Sequence, residues 1–196
     1  PDPSGTTGPL AIPANTAALF AAAKPDTTLV PVIGYPNDGV MLPPNMHSLD
    51  VHFRNRAYTL FEVSFRSETT DIKYFMRCGT ELPDDSCGFR LDDAGYKAIA
   101  ESNRGRTPLT LTVRATDDAG KNVATSAPVS IQFAQENVEG ALYYWRVQGQ
   151  VSTSSRIMRY DFGSSGGAPE AFLSMGGDNL PQCVGCHALS RDGTKM

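Results

Sequence analysis

A mainly β chain is what the sequence predicts, and three observations point to it. Apolar and polar residues alternate at period two over much of the chain, the pattern of strands with one buried face. Turn formers are plentiful, with 18 glycines and 14 prolines in 196 residues, which favours strands and turns over a helical bundle. The alternation then stops near the end, where Cys183, Cys186 and His187 stand in the spacing Cys-x-x-Cys-His.

Taken in order, residues 1–25 read as a flexible linker. Their opening, Pro-Asp-Pro-Ser-Gly-Thr-Thr-Gly-Pro, has turn formers and nothing to pack, and suits a tether between a membrane anchor and a folded body. The Ala-rich run that follows, 15–24, is compatible with a short helix capped by Asn15 or with coil.

Residues 26–136 read as a β-sandwich. Leu49, Val51 and Phe53 alternate with Asp50, His52 and Arg54, and Phe61, Val63 and Phe65 with Glu62 and Ser64. Ile72, Tyr74 and Met76 lead into Cys78. Leu109, Leu111, Val113 and Ala115 form another series, and Val129, Ile131 and Phe133 the last, with a turn signal at Asp117-Asp-Ala-Gly120 between them. The two adjacent prolines in 39–45 confine that stretch to a sheet edge or an extended cover. Residues 92–102 read as a short helix with acidic residues at its start, ending near Gly105. Strands of this length and spacing over about a hundred residues predict an immunoglobulin-like sandwich.

Residues 137–196 have a different texture. An aromatic strand with Tyr143, Tyr144 and Trp145 and a second with Met158, Tyr160 and Phe162 predict a hairpin, its aromatics more a buried strand than a stacking platform. A hairpin alone in water is marginal, so this one needs something over its aromatic face. After a Gly/Ser-rich break the chain reaches the cysteine motif.

The motif has a chemical rationale. Two thiols three positions apart can each add to one vinyl group of the same haem, and the adjoining imidazole then falls under the iron as proximal ligand. Composition alone would place this pentapeptide on the order of once in several hundred chains of this length. One covalent haem c on Cys183, Cys186 and His187 is therefore expected, against a Cys183–Cys186 redox disulfide, a half-zinc site or structural thiols. Nine residues follow His187, too few to enclose a macrocycle, so its distal face is expected to be covered by the preceding domain, by further sequence or by a partner chain. His47, in the Pro43-Pro-Asn-Met-His loop, and Met175 are the distal-ligand candidates. His52 reads as a surface histidine, and Met41, Met76 and Met158 as packing residues.

Cys78 and Cys87 flank a polar, turn-rich octapeptide and are expected to form a disulfide. That bridge implies an oxidising compartment, and covalent haem attachment in bacteria is likewise completed outside the cytoplasm, so an exported protein is expected. A net charge of −4 and the lack of a basic patch argue against nucleic acid, and no apolar run approaches a membrane span. No catalytic constellation is evident. Ser154, Ser155, Asp84 and Asp85 sit in polar stretches without a partner base at recognisable spacing.

Two resemblances add to this reading. The closing strands of the sandwich, with the Asp117-Asp-Ala-Gly120 turn and Ser126-Ala-Pro-Val-Ser-Ile131, resemble those of a fibronectin type III module. The tail joins the haem motif to Ser190-Arg-Asp-Gly-Thr-Lys-Met196, which resembles the turn opening a blade strand in TolB-like β-propellers, and the 142–161 hairpin resembles a first, partial blade. The chain is thus similar to exported, propeller-bearing haem c proteins of Gram-negative bacteria with an immunoglobulin-like domain ahead of the propeller. The resemblance implies a periplasmic or outer-membrane setting, with lipid anchoring an option, and a redox partner or a larger envelope complex. Electron transfer is the expected function. The alternatives are a cell-envelope binding or assembly module with a disulfide or vestigial motif, and a haem enzyme subunit with an open iron position.

Overall fold

The computed structural model describes residues 11–54, 58–78, 81–82, 86–146, 156–164, 168–174 and 190. They fall into two compact units, the first reaching Asn137 and the second starting at Val138. In chain order the first contains α1 (Thr16–Ala22), β1 (Lys24–Asp26), β2 (Val32–Tyr35), β3 (Val40–Leu42), β4 (Leu49–Arg54), β5 (Leu60–Arg66) and β6 (Asp71–Met76). It continues through β7 (Glu81–Leu82), β8 (Ser86–Leu91), α2 (Asp93–Asn103), β9 (Leu109–Thr116), β10 (Asn122–Thr125) and β11 (Val129–Phe133).

The period-two residues place themselves in two facing sheets. One has the order β2-β4-β8-β7; in the other, β6 pairs β5 and β5 pairs β9, whose far edge is shared by β10 and β11. Outside those, β1 and β3 pair in parallel with β10 and β11 respectively. Leu49, Val51, Phe53, Phe89 and Leu91 from the first sheet and Phe61, Val63, Phe65, Leu111 and Val113 from the second belong to one buried cluster. Burying each such side chain contributes roughly 1.5–3 kcal/mol, so this shared core holds the sheets together. The strand order, β2-β4-β8-β7 in one sheet and β6-β5-β9 continued by β10 and β11 in the other, is that of an immunoglobulin-like sandwich. The stretch with two prolines supplies the edge strand β3, and Met41 on it is 61% exposed rather than packed, because β3 turns only Val40 and Leu42 toward the core.

The helix α2 spans β8 to β9. Asp92 accepts a hydrogen bond from Gly95 N–H at 2.8 Å as its N-cap, and Tyr96, Ile99, Ala100 and Asn103 face inward at helical spacing. The Asn103 amide donates to Thr70 Oγ1 and to Ile99 O, both at 2.7 Å, so even its polar inner residue is satisfied. Cys78 and Cys87 are disulfide-bonded, Cα atoms 5.3 Å apart, and tie the end of β6 to β8 across the two sheets. Pro128 cannot donate to a ladder, and there the strand along β9 is broken into β10 and β11. Ser126 bridges the break, donating its N–H to Val113 O and accepting from Val113 N–H through its hydroxyl.

The expected linker is folded over its described part. Residues 16–22 form α1, although Asn15 makes no side-chain cap. Phe20, 1% exposed, packs with Leu60 and Val123 on the outer face of the larger sheet, with Phe75 against them. Gly120, at φ +59°, sits so close to α1 that a Cβ there would lie 2.8 Å from Leu19 Cδ2. Consequently β5 is buried on both faces, where alternation predicts one. Glu62 is 2% exposed on that outer face, 3.1 Å from the Arg114 guanidinium. Arg114 also donates to Phe20 O at 2.8 Å and lies 5.4 Å over the Phe20 ring. β1 then joins the sheet edge, and Tyr58 O–H donates to Asp26 Oδ2 at 2.6 Å.

The second unit contains β12 (Ala141–Arg146), β13 (Arg156–Asp161) and β14 (Glu170–Ser174), an antiparallel meander in that order. The expected hairpin is present as its first two strands, and the run before the cysteine motif supplies a third.

Replacing Phe20 with Ala should cost about 3–5 kcal/mol in a urea titration, because it empties the contact of α1 with the sheet. Removing the disulfide through the double change Cys78→Ser, Cys87→Ala should lower stability by roughly 2.5 kcal/mol, read the same way. The Tyr58 hydroxyl, with Thr28 behind it, holds the Asp26 carboxyl down to about 2, and Asp26 in turn holds the Tyr58 phenol up to about 12. Because the Asp26 pKa is depressed on folding, its stabilisation is present above the ordinary value of 3.8 and is lost as pH falls toward 2. In Tyr58→Phe the Asp26 titration midpoint, followed by NMR, should rise toward 3.8 and stop short of it, since Thr28 still donates.

Candidate functional site

Cys183, Cys186, His187 and Met175 lie outside the described residues, as do Asp84, Asp85, Ser154 and Ser155. The candidate site is therefore built from the residues that lead into the motif and from the described histidines.

His47 lies between β3 and β4, in the turn where Met46 N–H donates to Pro43 O at 3.3 Å. Its Nδ1 is 2.7 Å from Asp93 Oδ1, in the first turn of α2. Tyr96 O–H donates to Pro43 O at 2.7 Å, so two contacts fasten the 43–47 loop to α2. His47 belongs to the first unit and the motif to the second.

His52 stands exposed between Asp50 and Arg54 on the outer face of the smaller sheet. Asp50 takes the Arg90 guanidinium bidentately, at 2.7 and 3.1 Å, which holds Arg90 above its ordinary pKa. The His52 ring is 5.8 Å from that of Tyr35, and both line an open cleft with Val32, Gly34, Arg54 and Ser86. The register shift between Ile33 and Tyr35 leaves Gly34 as the extra, unpaired residue of a bulge in β2. Among the described residues no three or more His, Cys, Asp or Glu side chains come together as a metal site. No described helix is long and apolar enough to cross a membrane.

The second unit has the most distinctive surface. Trp145, Ile157 and Leu173 are direct partners across the three strands, so their side chains share one face. Tyr143 and Arg159 continue that face, and the bulge between Ile157 and Met158 sets Phe172 edge-on against Tyr143, ring centroids 4.9 Å apart. Ile157 is 5% exposed, whereas Trp145 is 51%, Phe172 48% and Leu173 40% exposed. The expectation of a buried aromatic strand is thus corrected. Three strands suffice to bury Ile157 and Met158, yet they leave Leu142 and Trp145 open on opposite faces. At the polar end Arg159 bonds Glu170 at 2.7 Å and pairs with Asp161, and the Glu170 bond holds Arg159 well above its ordinary pKa. Phe172 and Leu173 escaped the sequence reading because four residues, Glu-Ala-Phe-Leu, are too few to show a period.

No family model matches this chain, and no curated protein matches it. Among solved structures the chain is similar to a marsupial T cell receptor, at 7% identity and a TM-score of 0.39, covering 67% of this chain and 66% of that one.

Proposed function

We propose that this chain is an exported c-type haem protein, or a haem-bearing module, that passes single electrons to a redox partner or within a larger envelope complex. The Cys-x-x-Cys-His spacing of Cys183, Cys186 and His187 carries the reading. Two thiols and an imidazole are the donor set that covalent haem requires: the cysteines would hold the porphyrin and His187 would stand as proximal ligand. When bound, haem supplies an iron that alternates between ferric and ferrous states. The Cys78–Cys87 disulfide supports an oxidising compartment, where haem is also attached. The meander supports the resemblance to a first propeller blade, because three antiparallel strands of five or six residues are most of a four-stranded blade. In that reading the setting is the periplasm or cell surface of a Gram-negative bacterium. Of the two distal candidates, Met175 adjoins β14 in the motif's own unit, while the Nδ1 of His47 is engaged with Asp93 in the other.

Protein matured in cells competent for haem attachment should show a haem c spectrum that survives acid–acetone extraction. Cys183→Ser, Cys186→Ser should abolish it and leave the sandwich folded by circular dichroism. No bound haem in the unaltered chain sinks the proposal and leaves the second reading, an envelope binding module whose motif is a disulfide or vestigial.

A further inference from the structure

We propose that the cleft on the outer face of the smaller sheet, lined by Val32, Gly34, Tyr35, His52, Arg54 and Ser86, binds a small aromatic carboxylate. The proposal stands independently of the haem reading, since the cleft lies within the first unit.

Strand register builds the opening. Val32 is paired with Arg54 and Arg54 with Ser86, so these three side chains form one row across β2, β4 and β8. Tyr35 is paired with His52 in the next row, their ring centroids 5.8 Å apart and the rings inclined at 47°. In β2 the residue between those rows is Gly34. Its backbone is not left-handed, and a Cβ there would meet His52 O at 3.8 Å, an ordinary contact. Neither backbone conformation nor close packing therefore demands a glycine at this bulge. Glycine weakens a strand interior, and it marks places where a ligand comes close to the backbone. What it supplies here is the hollow, about 370 Å³, at the small end of ligand sites and sufficient for one or two rings.

The lining sets the chemistry. Val32 is 60% and Tyr35 41% exposed, an aliphatic and an aromatic surface left wet beside the His52 ring. Such walls favour a flat apolar body, which meets the rings offset or edge to face. Arg54 is the charged residue of the lining, which contains no Asp or Glu. Asp50, two positions along β4 from His52, is already held bidentately by Arg90. A planar guanidinium matches the two oxygens of a carboxylate, and the Ser86 hydroxyl in the same row can donate to one of them. An aromatic acid joins the flat body and the anion in one molecule.

The test is a titration of the full chain with benzoate, followed through the ring resonances of Tyr35 and His52. Both should shift saturably. Benzyl alcohol, the ring without the charge, and acetate, the charge without the ring, should each bind about tenfold more weakly or worse. Arg54→Gln should weaken benzoate by about tenfold or more, because it removes the charge-assisted pair. Gly34→Leu fills the hollow and should abolish the response while leaving the circular dichroism unchanged. If Gly34→Leu does not fold, Arg54→Lys, which keeps the charge and loses the fork, should still weaken benzoate. No saturable shift of either ring overturns the inference. Equal affinity for acetate overturns it in favour of a general anion site. Unchanged affinity in Arg54→Gln, or benzoate still bound by folded Gly34→Leu, overturns it as well.

Discussion

Arg114 is the side chain on which the organisation of the first unit turns. It reaches from the middle of β9 to the buried carboxylate of Glu62, to the carbonyl of Phe20 and over the Phe20 ring. A carboxylate 2% exposed on a sheet face is costly unless it is paired, and losing one partner of such a pair typically costs about 3–5 kcal/mol. Lys73 Nζ stands 4.0 Å from Glu62, but Arg114 is the cation that hydrogen-bonds it, and Arg114, once turned inward, draws the end of α1 onto the sheet. Phe20 then seals Leu60, Val123 and Phe75 beneath it. One ion pair thus converts the outer face of the larger sheet from a solvated surface into a second, smaller core.

That arrangement shows where the sequence was legible. Strands whose inner residues meet the shared core, such as β4, β9 and β11, have a clear period of two, because burial alternates with solvent along most of each strand. The helix α2 was equally readable, since Asp92 caps it and 96, 99, 100 and 103 mark one face. The N-terminal stretch was not. Its fold depends on the single apolar anchor Phe20 and on hydrogen bonds from Arg114 to Phe20 O and from Arg77 to Ala11 O, 94 and 66 residues away. No local pattern encodes a partner at that distance. The strand β8 does alternate, with Cys87, Phe89 and Leu91 buried, but three apolar positions beside a glycine are a weak local signal, and its register comes from pairing with β4.

The candidate site divides in the same way. The cysteine motif is a local signal and is read directly from spacing. The row of Trp145, Ile157 and Leu173 is not local: it exists only once three strands are aligned and a bulge after Ile157 shifts the third. His47 shows the converse. Its residue type made it a ligand candidate, but its neighbours in space, Asp93 and the loop fixed by Tyr96, make it part of the fastening between loop and helix.

The two units differ in how completely they close their apolar surface. In the first, both faces of the larger sheet are covered, one by the opposite sheet and one by α1, and its large buried side chains are almost fully withdrawn from water. The second has three strands, and a sheet of that size with large apolar residues on both faces cannot cover either by itself. Ile157 and Met158 are buried on opposite sides of one strand, while Trp145 and Leu142 remain half in water on those same two sides. A sheet alternating apolar with polar would have one wet face and one dry one; this sheet is apolar on both, the composition of a layer that lies between two others. The physical demand on the second unit is therefore for two coverings. One covering is needed over Trp145, Phe172 and Leu173, and the other over Leu142, Tyr144 and Tyr160.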